Sequence, residues 1–118
     1  MNVRFEYLYR DAGNFKNRGE IIFANPNNLT TDVVTKMAEN VLIQEAFFVS
    51  HEANVPDLHF KDYGYDEELD HGWHEFHLFA LTEETPNDLL GRNIEEFIES
   101  LRLASIELVQ ERQLPQTA

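Results

Sequence analysis

Residues 3–10, VRFEYLYR, place Val3, Phe5, Tyr7 and Tyr9 on one side of an extended chain and Arg4, Glu6 and Arg10 on the other; Leu8 alone breaks the alternation. A period of two marks a strand with one face covered, and the aromatic and β-branched content suits it. Residues 11–19, DAGNFKNRG, gather Gly, Asn and Asp and read as a long turn. Residues 20–24, EIIFA, return as the second strand of an antiparallel hairpin. Asn25-Pro26-Asn27-Asn28 stops that strand, because proline has no amide hydrogen to give a ladder.

The pattern then changes period. Thr30 or Thr31 caps a helix with Asp32 in its first turn, where the helix dipole is positive. Val33, Val34, Met37, Ala38, Val41 and Leu42 follow helical spacing and predict one buried stripe over residues 31–43. Residues 46–50, AFFVS, read as a short covered strand, and 57–61, DLHFK, as another, after Pro56 holds Val55 extended. Residues 62–72 are acidic and aperiodic, hence a loop; 73–82, WHEFHLFALT, form a last strand. A turn at 85–88 precedes a final helix capped by Asn93, with Glu96 three residues on as in a capping box. Its stripe is Ile94, Phe97, Ile98, Leu101, Ala104, Leu108 and Val109. The order β-β-α-β-β-β-α predicts a single α+β domain over residues 1–112: a mainly antiparallel sheet with two helices on one face, and a frayed tail at 113–118. Its 118 residues, 42% of them hydrophobic, are enough for one core.

Charge is the second strong signal. The chain carries 22 Asp and Glu against nine Lys and Arg, a net charge of −13. Such a balance argues against direct binding to nucleic acid or to an anionic membrane, both of which need cations. It is unevenly placed: sixteen acids and only Lys61 and Arg92 fall between residues 39 and 99, whereas the amino-terminal 18 residues are mildly positive. With no cysteine, the chain has neither disulfides nor thiolate chemistry. The polar N-terminus shows no secretory signal and no run of apolar residues spans a membrane, so the expected compartment is the cytoplasm.

Four constellations bear on chemistry. His51, His59, His71, His74 and His77 lie within 27 residues, and extended backbone after Gly72 would set His71, Glu75 and His77 on one face as a transition-metal triad. Their spacing matches no established metal motif, and polar strand and loop histidines are the simpler account. Asp62, Asp66, Glu67, Glu68 and Asp70 would suit calcium, but Gly64 stands third where an EF-hand needs Gly sixth, and a solvated acidic loop explains them. Ser50 and His51, adjacent in a strand, point to opposite faces and make no dyad; Gly-x-Ser-x-Gly and phosphate-binding glycine loops do not occur. The 11–19 stretch gathers bases, amides and Phe15 and could hold an anion, or serve simply as a turn.

The strings YRDAGNFKN (residues 9–17) and DHGWHEF (residues 70–76) resemble those of a group of small uncharacterised bacterial proteins, over about residues 4–98. The resemblance implies a free-standing bacterial or phage protein and weight on the two motif loops; it brings no activity or ligand.

Two functions follow as expectations. The first is a small acidic interaction protein, an immunity protein, antitoxin or anti-defence inhibitor, covering the basic nucleic-acid-binding surface of a target protein. Asp62, Asp66, Glu67, Glu68, Asp70, Asp88, Glu95, Glu96 and Glu99 would supply charge, and Tyr63, Tyr65 and Trp73 the anchors. This requires the acids to gather in one patch. The second is a metal-dependent or carboxylate enzyme built on His71, Glu75 and His77, with an acidic scaffold as the plainest alternative. Leu103 and Ile106, off the buried stripe of the last helix, would suit a homodimer.

Overall fold

The computed structural model describes residues 1–10, 16–50, 52–58 and 73–113, with side chains as far as residue 104. Strand β1 spans Asn2–Arg10, β2 Lys16–Phe23, β3 Phe47–Val49 and β4 Trp73–Thr82; helix α1 spans Thr31–Glu39 and α2 Ile94–Gln113. The four strands form one antiparallel sheet in the order β2-β1-β4-β3. The two helices touch each other and lie on one face, α1 against β4 and α2 against β3. The fold is α+β.

The alternation in β1 is the reason for this architecture. Val3, Phe5, Tyr7 and Tyr9 are all buried, and the Phe5 ring meets those of Tyr7, Phe23, Phe48, Phe76, Phe79 and Phe97. Every element contributes to that one core: Ile21 and Phe23 from β2, Val34 and Ala38 from α1, Phe48 from β3, Phe79 from β4, and Ile94, Phe97 and Leu101 from α2. Clustered rings at these separations add about 0.5–1.5 kcal/mol per pair beyond their burial.

Three expectations about boundaries are corrected. The hairpin connection is no longer than residues 11–15, which lie outside the described residues, because Lys16, Asn17, Arg18 and Gly19 pair with Arg10, Tyr9, Leu8 and Tyr7. Ladder hydrogen bonds override turn propensity there. Gly19 remains in the strand because Leu58 lies over it; a Cβ would sit 3.0 Å from one Leu58 methyl and 3.2 Å from the Tyr7 ring.

Helix α1 begins as expected, with the Thr30 hydroxyl accepting from Val33 N–H, but ends at Glu39 instead of residue 43. Ile43 exchanges two backbone hydrogen bonds of 2.9 Å with Phe47 across a turn in which Gln44 and Glu45 are left-handed. A residue so engaged cannot continue a helix. The buried stripe is correspondingly narrower: Val34 and Ala38 are buried, whereas Val33 is 45% exposed.

The strand expected at 57–61 does not form at Asp57 and Leu58, and residues 59–61 lie outside the described residues. Side chains take the place of a ladder. Tyr7 Oη donates to Pro56 O at 2.7 Å, Asn17 Nδ2 donates to Leu58 O at 2.9 Å, and Leu58 N–H donates to His74 Nε2 at 3.0 Å. In β4 the register against β1 passes from Glu6–Leu78 to Tyr7–Phe76, so His77 is an extra residue in a β-bulge. The capping box at Asn93 and Glu96 forms in both directions, at 2.9 and 3.0 Å.

Candidate functional site

The stretch expected to carry most of the charge, Asp62, Tyr63, Tyr65, Asp66, Glu67, Glu68 and Asp70, lies outside the described residues together with His51, His59 and His71. The remaining expected residues fall into three places. Trp73 opens β4, half-buried, with its ring 5.7 Å from that of Phe47. Glu75 is on the sheet face away from the helices. Glu75 is occupied there by Arg10, which reaches its two carboxylate oxygens through Nε and Nη2 at 3.2 Å each, while His77 is exposed on the bulge. Glu95, Glu96 and Glu99 lie on the outer side of α2, each with a local partner: Asn27 Nδ2 donates to Glu95, Glu96 closes the capping box, and Arg102 holds Glu99. That guanidinium keeps the Glu99 carboxyl below its ordinary range. Leu103 is exposed; the Ile106 side chain is outside those described. Among the described residues no group of three His, Asp or Glu side chains is placed to hold a metal ion.

The described carboxylates do not keep to one side. Arg4, on the face away from the helices, is ringed by Glu6 at 2.9 Å, Glu20 at 3.6 Å and Glu84 at 4.0 Å. The α2 acids are on the helix side of the sheet. Charge alone therefore does not single out one face.

Asp88, expected at the surface, is the clearest correction. Its side chain is only 2% exposed and grips Arg92, itself 8% exposed. Arg92 donates through Nε to Oδ2 and through Nη2 to Oδ1, both at 2.9 Å, and its backbone N–H donates to Oδ2 as well. Two further guanidinium protons go to Ala53 O at 2.8 Å and Asn54 O at 3.0 Å, and the plane lies over Phe97 and Phe23 at 5.2 and 5.8 Å. Burial pushes the Asp88 carboxyl up, but its hydrogen bonds to Arg92 outweigh that and leave it below its ordinary range. Arginine's rigid fork suits this arrangement, where a lysine's three donors all radiate from one nitrogen and do not span the separated acceptors.

That pair fixes a loop the sequence reading passed over. Asn87 bonds the edge of β2 in both directions, accepting from Ile22 N–H at 2.8 Å and donating its own N–H to Ile22 O at 3.0 Å. A tight turn follows, Asp88–Leu89–Leu90–Gly91, closed by Gly91 N–H to Asp88 O at 3.0 Å, with Gly91 at φ +65°. Leu89 is 88% and Leu90 60% exposed. The signal was in the sequence: two leucines between Asp88 and Gly91, in a turn, with no periodic partner.

His74 projects from β4 toward the core, on the side opposite Glu75. It is wholly buried, between the rings of Tyr9 at 5.1 Å and Tyr7 and Phe48 at 6.1 Å, with Asp57 Oδ1 3.4 Å from Nε2. Because Nε2 accepts from Leu58 N–H, the proton of the neutral ring is on Nδ1. The residue ties β4 to the 56–58 segment.

Comparisons of the chain with models of known families, with curated proteins and with solved structures find no match. No helix among the described residues is long and apolar enough to cross a membrane.

Proposed function

We propose that the chain is a small acidic protein-binding module, of the immunity, antitoxin or anti-defence inhibitor kind, that covers a basic nucleic-acid-binding surface of a target protein. The observation that carries this reading is the fate of Arg92. It is one of only two bases among residues 39–99, and Asp88 neutralises it inside the fold. Withdrawing the pair removes one charge of each sign, so the net charge of the segment is unchanged, with Lys61 its one base outside the pair. Its acids lie on both sides of the sheet and not in the single patch expected. Glu95, Glu96 and Glu99 contribute from α2, the acids of 62–70 from their own segment, and Trp73, Tyr63 and Tyr65 supply aromatic anchors. Anionic surfaces of this kind accelerate encounter with a cationic partner and compete with phosphate for it.

Co-purification from the native host, followed by association kinetics at several ionic strengths, tests the proposal. The expected partner is a basic protein whose association rate falls as salt rises, and duplex DNA or RNA competes for it. A partner whose association ignores both salt and nucleic acid overturns the reading.

A further inference from the structure

We infer that the Leu89–Leu90 turn and the segment Asn54–Pro56 form the anchoring groove for a basic, amphipathic segment of a partner protein. The inference rests on the proposed binding function and names the surface that performs it. Between the two walls lies an open groove of about 460 Å³ lined by Asn54, Val55, Pro56, Leu89 and Leu90. A smaller concavity of about 210 Å³ shares Asn54, Pro56 and Leu89 and extends it to Glu20 and Ile21 on β2.

Both walls are held by the same side chain. Arg92 grips Asp88, which begins the leucine turn, and donates to the carbonyls of Ala53 and Asn54 on the opposite wall. Asn87 and Tyr7 fix the outer ends, on Ile22 and Pro56. Two leucines are thus displayed in water on backbone that is already ordered, so little backbone entropy remains to be lost when something covers them. Covering the two leucines takes apolar surface out of water, the dominant favourable contribution in most protein associations. The groove is an anchor for an interface and not the whole of one, since stable interfaces bury roughly 800 Å² per partner.

Charge decides the occupant. The adjoining concavity carries Glu20, which also faces Arg4 at 3.6 Å, and Asp57 follows Pro56 in the chain; Arg92, the base beneath the groove, is internally neutralised. A second copy would bring the same acids and a second charge of −13 against these. A segment with apolar residues at helical spacing, flanked by Lys or Arg, matches both the groove and the acids near it.

The test uses the intact, isotope-labelled chain and two synthetic peptides: an amphipathic helix of Lys and Leu only, and a Lys-only peptide of equal charge. The Lys/Leu peptide is expected to shift the amide resonances of Val55, Leu89, Leu90 and Gly91. The double variant Leu89→Ser, Leu90→Ser, whose substitutions are exposed, is expected to bind it roughly tenfold or more weakly. Leu103→Ser, exposed on α2, is expected to leave the affinity unchanged, and melting curves confirm that both variants fold. Equal affinity for the double variant, or no preference for Lys/Leu over Lys alone, overturns the groove while leaving the salt-dependent partner binding proposed above to stand or fall by its own measurement. Self-association of the wild type that the double variant abolishes also overturns it, by assigning the groove to a second copy.

Discussion

Arg92 and Asp88, one helical turn apart in sequence, form a two-pronged ion pair at 2.9 Å on each prong, inside the protein and just before α2 begins. Around it the chain closes: the guanidinium also binds the 53–54 carbonyls and covers the stacked rings of Phe23 and Phe97. Asp88→Ala leaves Arg92 buried without its counter-charge and is expected to destabilise by about 3–5 kcal/mol in urea unfolding. Arg92→Lys is expected to fail similarly, because one ammonium cannot reach both walls.

The same pair sets a pH dependence. Asp88 has a folded pKa below its unfolded value. Its stabilising contribution is therefore full above about pH 4, the unfolded carboxylate range, and is lost as the pH falls through the depressed folded value. Asp88→Asn is expected to start less stable at neutral pH and to lose less on acidification. Parallel acid-unfolding curves for the two proteins would refute this.

Gly19 and Leu58 are predicted to be energetically coupled. Gly19→Ala pushes a methyl against Leu58 and the Tyr7 ring and is expected to destabilise by about 1–3 kcal/mol. Leu58→Ala makes room for it, so the double variant should be less unstable than the sum of the singles; thermal unfolding of all four proteins reads the coupling.

His74→Phe keeps a ring among Tyr7, Tyr9 and Phe48 but removes the acceptor for Leu58 N–H. The expected loss is about 1–3 kcal/mol, the penalty for a buried donor left unmade. Hydrogen exchange at the Leu58 amide distinguishes this cause from general loosening: that amide should lose protection well beyond the amides of β4.

Tyr7 offers a check at the alkaline end. Burial, aided by the charge of Asp57, raises its phenol well above the ordinary value. The neutral phenol's contribution is full below about pH 10, where unfolded tyrosine ionises, and is lost as pH rises toward the raised folded value. Tyr7→Phe is expected to lose about 1 kcal/mol with the Pro56 hydrogen bond and to show a flatter alkaline limb.

Periodicity made much of the fold legible. Alternation in β1, the helical spacing of Val34 and Ala38, and the Asn93–Glu96 cap are local rules, and each acts in the structure through the backbone conformation it favours. Such rules failed where a distant group answered a backbone need. Asp57 and Leu58 are not strand because Tyr7, Asn17 and His74 satisfy that segment's backbone, and residue 43 is not helix because Phe47 takes its hydrogen bonds.

Composition by itself determined that the chain is acidic and that its core is aromatic, since both depend only on which side chains are present. Which charges face water was decided by tertiary structure alone. Arg92 and Asp88 look in sequence like two more surface charges; only the approach of Ala53 and Asn54, 39 and 38 residues before Arg92, makes them interior. The exposure of Leu89 and Leu90 has the same origin, because the pair that withdraws Asp88 from water holds the neighbouring leucines in it.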